Sequence, residues 1–184
     1  HQRTWRKIQQ SLMQRKSRLP LTTQQIGKVA VLLGRKPRGL EDVPVAQENG
    51  QPMVIRVASL VEDKPFPTLF WLIDPVLCYR IDQAEANGLI KQLQQTIDES
   101  PELQQAMGED HRAHIALRET FMGDPIKQRL QQLGFQEVLS GKGIGGIADF
   151  TRIRCLHTWY AAHLVVPNTV GALLDQWWQE QGSN

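Results

Sequence analysis

The chain has 184 residues, of which 41% are hydrophobic and 22% charged, a composition that suits one soluble domain with enough core to fold alone. No apolar run reaches the roughly 18 to 20 residues of a bilayer-spanning helix, no signal segment opens the chain, and the cysteines Cys78 and Cys155 are too few for a disulfide framework, so a cytoplasmic protein with reduced thiols is expected. The net charge of +2 divides unevenly: residues 1–40 hold ten Lys or Arg and no acid, while the remaining 144 hold eleven bases against nineteen acids, so the two parts carry +10 and −8.

Residues 1–20 read as a basic helical arm with a weakly apolar side at Trp5, Ile8, Leu12 and Met13, and residues 21–184 as a single domain. A basic segment over residues 1–40 attracts polyanions such as RNA, DNA or anionic lipid, with Arg15, Lys16 and Arg18 as the nucleic-acid-binding candidates. The alternative is a solvated helix that packs on the acidic body of its own chain or of a second copy.

After Pro20, Thr22 and Gln25 form a capping box, Ile26, Val29, Ala30 and Leu33 recur at helical spacing, and Gly34 supplies the stop. Strand formers then fill 43–47, 53–60 and 68–73, with Asn49-Gly50 as a hairpin signal, which predicts a three-stranded antiparallel meander. Pro65 and Pro67 bracket Phe66 at the entrance to the third strand. From Pro75 a long helix follows, with Asn87-Gly88 as a point of interruption. Ser100-Pro101 and Asp124-Pro125 each open a further helix, and Gly134 stops the second. Asp149 is expected to cap a helix running through Val166, and Asn168 a last one containing Leu173, Leu174, Trp177 and Trp178. The fold class is therefore α+β, mostly helical, with a small three-stranded antiparallel sheet packed by helices.

Four motifs carry a resemblance. In chain order, Gly34-Arg35-Lys36-Pro37-Arg38-Gly39, Pro65-Phe66-Pro67-Thr68-Leu69-Phe70-Trp71-Leu72, Gly143-Ile144-Gly145-Gly146 and Arg154-Cys155-Leu156-His157 resemble the bacterial family known as domain of unknown function 501. The resemblance spans roughly residues 22–172 and implies little mechanism. It also implies a metal question, since some relatives place a cysteine at the position of Gln47 and a cysteine or histidine at that of Asp74, beside the equivalents of Cys155 and His157, a set suited to zinc. Glutamine is a poor zinc ligand and one carboxylate only a fair one, so no metal or other cofactor is expected here.

The chemically capable residues gather between Gly141 and Leu164. A glycine-rich segment before a helix can turn its amides on an anion, which makes Lys142, Gly143, Gly145, Gly146 and Arg152 ligand-binding candidates. It matches neither GxxxxGK[ST] nor GxGxxG, and the plainer reading is a turn that needs glycine geometry. On a helix from Asp149, Cys155 and His157 point about 160° apart and cannot pair. Cys155 then reads as a small buried residue and His163 as a buried, hydrogen-bonded one. His111, His114 and Arg118 share an arc of the Ser100 helix, with one histidine edge buried and the other solvated. Trp177 and Trp178 are adjacent, so one of them is available to cover the N-terminal helix, a second copy or another protein.

Two functions fit. One is a non-catalytic protein that binds RNA or a nucleotide or phosphate ligand. The other is a small hydrolase or transferase acting on a phosphate-containing substrate, with His157, His111 and Arg154 as the catalytic candidates. The absence of paired carboxylates, a triad or a nucleophile elbow favours binding.

Overall fold

The computed structural model describes residues 20–182, so the expected arm over 1–20 and its candidates Arg15, Lys16 and Arg18 lie outside the described residues apart from Pro20. Helix α1 (Thr23–Leu33) begins as the capping box dictates, with the Gln25 amide donating to Thr22 Oγ1 at 3.1 Å and the Thr22 amide to Gln25 Oε1 at 2.9 Å. It ends on Gly34 in the left-handed conformation.

Strands β1 (Leu40–Ala46), β2 (Pro52–Val57) and β5 (Phe70–Leu72) form the antiparallel sheet in the order β1-β2-β5. The Asn49-Gly50 turn closes the first hairpin, with the Gln47 amide bonded to Gln51 O at 2.9 Å. Between β2 and β5 the chain makes a hairpin that the sequence reading missed, β3 (Leu60–Val61) with β4 (Lys64–Pro65). Its turn residues Glu62 and Asp63 take positive φ of 52° and 60°, a conformation signalled in most sequences by Gly or Asn, so no turn signal stood at this point. Pro65 consequently lies in β4 and not at the entrance to the third strand of the sheet.

The remaining elements are helical: α2 (Pro75–Ala86), α3 (Leu89–Asp98), α4 (Pro101–Phe121), α5 (Asp124–Leu133), a short α6 (Gln136–Ser140), a 3₁₀ turn over Ile144–Gly146, α7 (Leu156–Val165) and α8 (Thr169–Gly182). The expected long helix after Pro75 is two helices, broken where Gly88 turns left-handed. Gly123, not Asp124, occupies the cap of α5, because Asp124 is already helical. Asn168 caps α8 as expected, its Oδ1 accepting from the Gly171 amide at 2.7 Å.

Alternation along β2 divides the core in two. Val54 joins Phe70, Leu156 and Trp159 beneath α2, α3, α4, α7 and α8, while Ile55 and Val57 turn to Val29 of α1. Trp177 and Trp178 both half-bury against the larger cluster, and Trp178 stands edge-on to Tyr160 with Arg80 over its ring at 4.1 Å. No helix among the described residues is long and apolar enough to cross a membrane.

Candidate functional site

On α2, Cys78, Asp82 and Glu85 recur at i, i+4 and i+7, which places them on one stripe of the helix. The stripe meets the start of α7. Residues 149–155 are not helical, for two reasons: Asp149 Oδ1 accepts from the Thr151 amide at 3.1 Å in a local turn, and Gln94 of α3 grips the next segment. Gln94 Nε2 donates to Thr151 O at 2.8 Å and its Oε1 accepts from the Ile153 amide at 2.9 Å. The helix therefore starts seven residues later than Asp149, at Leu156, whose free amide donates to Glu85 Oε2 at 3.3 Å.

This late start corrects the geometry expected of Cys155 and His157. Cys155 sits at the cap with extended φ of −148° and ψ of 121°, so its side chain folds over the first turn instead of pointing away from His157. Its Sγ lies 3.5 Å from His157 Nδ1. The imidazole is also held by two carboxylates, with Nε2 2.8 Å from Asp82 Oδ1 and Nδ1 3.1 Å from Glu85 Oε1. Cys155, His157 and Glu85 each present a donor atom, and the three atoms lie within 4.8 Å of one another.

The electrostatics follow from the crowding. The bond to Cys155, and then the charges of Cys155, Glu85 and Asp82, raise His157 to about 9 against the opposing effect of burial. Burial works against ionisation of Cys155, but the His157 bond and the Thr158 amide outweigh it and hold the thiol below its ordinary range. Cys78 goes the other way: burial and the charges of Asp82 and Asp74 push it up, and its Sγ donates to Leu72 O at 3.5 Å. Gln47 and Asp74 bond to each other, Nε2 to Oδ1 at 3.0 Å, and Asp74 Oδ2 caps α2 through the Leu77 amide at 2.9 Å. Both Asp74 oxygens are thus committed to structure, and the metal-capable donors among the described residues are Glu85, Cys155 and His157.

The other sequence candidates stand elsewhere. His111 is fully buried, stacked on Phe150 at 4.5 Å and edge-on to Trp159 at 4.8 Å, and its Nδ1 accepts from the Ile144 amide at 3.0 Å. Its partners are the glycine loop and the core, whereas those of His157 are Cys155, Asp82 and Glu85. Within the loop the Gly143 amide bonds to Ile147 O at 2.8 Å and the Gly146 amide to Gly143 O at 3.0 Å, while Gly145 and Gly146 pack on Thr158 and Pro67. An anion there would have to displace those amides from protein partners. Lys142 gives its carbonyl to Arg118, Arg152 reaches Asp149 at 3.9 Å, and Arg154 is exposed.

Arg118 is 1% exposed and forms no ion pair among the described residues; its guanidinium donates to the carbonyls of Leu139, Lys142, Pro67 and Gly143 at 2.8, 2.7, 2.7 and 3.3 Å. It staples α4 to the glycine loop and to the segment before β5. His114 is buried along with His111, so the expected solvated edge of that helix is corrected: both histidines face inward. His163 is hydrogen-bonded as expected, to Asp175 at 2.8 Å and to the Asn168 amide at 2.9 Å, but it is partly exposed and not buried.

Sequence reasoning missed Asp82 and Glu85, although their i, i+4, i+7 stripe with Cys78 was visible beside the apolar Leu77, Ile81 and Ala84. No curated protein and no solved structure matches the chain. The family model described as "Protein of unknown function (DUF501)" matches residues 43–176, taking in the Pro65–Leu72, Gly143–Gly146 and Arg154–His157 motifs together with every member of the α2–α7 cluster, and the chain belongs to that family.

Proposed function

We propose that the protein binds a transition metal of the zinc class through Glu85, Cys155 and His157. The observation that carries this is the convergence of one sulfur, one imidazole nitrogen and one carboxylate oxygen within 4.8 Å of each other. Sulfur, nitrogen and oxygen donors together suit zinc, which accepts all three. Asp82 strengthens the reading: when a cation displaces the Nδ1 proton, a carboxylate on Nε2 keeps the other proton there and so holds the tautomer whose Nδ1 lone pair binds the metal. Two carboxylates and a thiol of lowered pKa also gather more negative charge than the protonated His157 alone offsets. Three protein donors leave a fourth tetrahedral position, and the His157 and Glu85 side chains are 26% and 23% exposed, so that position opens to solvent.

Isothermal titration of the metal-free chain with Zn²⁺ tests the reading. One equivalent should bind, Cys155→Ser and His157→Gln should each remove most of the affinity, and Asp82→Asn should weaken it about 10- to 100-fold. Zinc affinity unchanged in Cys155→Ser overturns the assignment. A thiol nucleophile is the second reading, favoured by the 3.5 Å separation between Sγ and Nδ1. It takes precedence if zinc does not bind while iodoacetamide modifies Cys155 much faster than Cys78.

A separate part of the chain supports polyanion binding. The ten bases without an acid in residues 1–40 would attract RNA or another polyphosphate, with an affinity that falls steeply with salt. Changing Arg15, Lys16 and Arg18 to Gln should flatten that salt dependence.

A further inference from the structure

A second concave site lies on the α1 side of the sheet, away from the α2–α7 cluster. Its floor is Ile55 and Val57 of β2, its walls are the rings of Phe66 and Trp71, and its rim carries Arg35, Arg38 and Lys64. We infer that this cleft binds a nucleotide unit, with the base against the Trp71 ring and the phosphate on the basic rim. This deepens the polyanion reading and rests on it, because Arg35 and Arg38 belong to the basic first 40 residues.

The geometry is preorganised. The indole Nε1 of Trp71 donates to Thr68 O at 3.1 Å, which fixes the ring, and Phe66 lies beside it at a centroid distance of 6.3 Å and an interplanar angle of 31°. The Phe66 amide is anchored on Ser59 O at 2.7 Å. Gly39, at a φ of +68°, lets the β3–β4 hairpin approach so closely that a Cβ there would stand 2.5 Å from Val61 Cγ2, and this approach closes one side of the cleft. At about 220 Å³ the space is below the roughly 300–1,000 Å³ of ordinary small-molecule pockets, so it has room for the base, with the sugar and phosphate outside on the rim.

The charge of the rim selects an anion. Arg35 and Lys64 have no ion-pair partner among the described residues, and residues 1–19 contain no acidic side chain to supply one. Arg38 pairs with Glu62 at 3.3 Å, but the two side chains are 70% and 66% exposed, so the pair is weak and an incoming phosphate can compete for the guanidinium. Flat rings flanked by free cations are the combination that holds single nucleotides by stacking and phosphate contact.

The test is calorimetric titration of the full chain with adenosine monophosphate, ribose 5-phosphate and a short single-stranded oligoadenylate, in low salt. Adenosine monophosphate should bind, and more tightly than ribose 5-phosphate by about tenfold, the share that base stacking supplies. The exposed-site variants Arg35→Gln and Lys64→Gln should each weaken it several-fold without touching the fold, Trp71→Leu should abolish the preference over ribose 5-phosphate, and Glu62→Gln should tighten binding by freeing Arg38. Changing Arg15, Lys16 and Arg18 to Gln should weaken the oligonucleotide and leave the mononucleotide unaffected. Equal affinity for adenosine monophosphate and ribose 5-phosphate, or no loss in Arg35→Gln and Lys64→Gln, overturns the cleft. If the oligonucleotide then still depends on Arg15, Lys16 and Arg18, the polyanion reading survives that failure.

Discussion

His114 offers a quantitative test of how α4 is packed. Burial, with help from the charge of Arg118, lowers its pKa from 6.5 to about 3, and burial lowers that of His111 to about 4. Both folded values lie below the unfolded one, so between pH 6.5 and these values the unfolded chain takes up protons that the folded chain refuses. Their contribution to stability is complete above 6.5 and is lost as the pH falls. At about pH 4.5 each histidine should have cost the fold about 2.5 kcal/mol relative to neutrality, close to 5 together, a large part of a typical domain's stability. His114 Nε2 has no hydrogen-bond partner and the ring stands edge-on to Phe70 at 5.9 Å, so His114→Leu removes the titration without orphaning a donor on that nitrogen. At pH 7 the variant should lie within about 1.5 kcal/mol of the parent. Urea unfolding at pH 7 and at about pH 4.5 gives the stability loss of each protein, and the loss should be about 2.5 kcal/mol smaller in the variant. Carboxylates titrating over the same range cancel in that difference. Equal losses in the two proteins would refute the assignment of acid lability to this buried ring.

Further perturbations test the packing. Arg118→Met removes the guanidinium donor from four backbone carbonyls, of which Leu139 O and Gly143 O keep the amides of Lys142 and Gly146, and should lower stability by at least about 2 kcal/mol in thermal or urea unfolding; Arg118→Lys should not restore it because an ammonium cannot span the same fork. Gly143→Ala drives a Cβ into the His111 ring and should cost roughly 1–3 kcal/mol, whereas Gly27→Ala, in open space on α1, should gain roughly 0.5–1 kcal/mol. Removing residues 1–19 should leave a chain with a cooperative thermal transition, since the capping box at Thr22 begins α1 without them; loss of that transition would place the arm in the core.

What was legible in the sequence is what local chemistry decides. Thr22 with Gln25, Ser100-Pro101 and Asn168 satisfy or remove backbone donors locally, Gly34 and Gly50 take the left-handed backbone that ends a helix or closes a turn, and each element begins or ends where those residues stand. The site depended on a partner distant in the chain. Asp149 has the side chain of a cap, yet Gln94, more than fifty residues away, holds 151–153 out of the helix, and Glu85 takes the first helical amide instead. That shift of the helix start turns Cys155 from a residue facing away from His157 into its neighbour. Similarly, the helical period placed His111, His114 and Arg118 on one arc, but it takes the Gly143 loop together with Phe70 and Trp159, all distant in the chain, to bury that arc. The β3–β4 hairpin went unread because Glu62 and Asp63 accept positive φ without the residues that ordinarily announce it.

Co²⁺ substitution reads directly whether Glu85, Cys155 and His157 form one metal centre, because the ion reports its donor atoms. Added to the metal-free chain, one equivalent of Co²⁺ should produce a sulfur-to-cobalt charge-transfer band together with the visible transitions of a four-coordinate ion. The charge-transfer band should vanish in Cys155→Ser and persist in Cys78→Ser, because Cys155, and not Cys78, belongs to the converging set. A spectrum showing hexa-aquo cobalt alone, or a charge-transfer band that follows Cys78 instead of Cys155, would contradict the account.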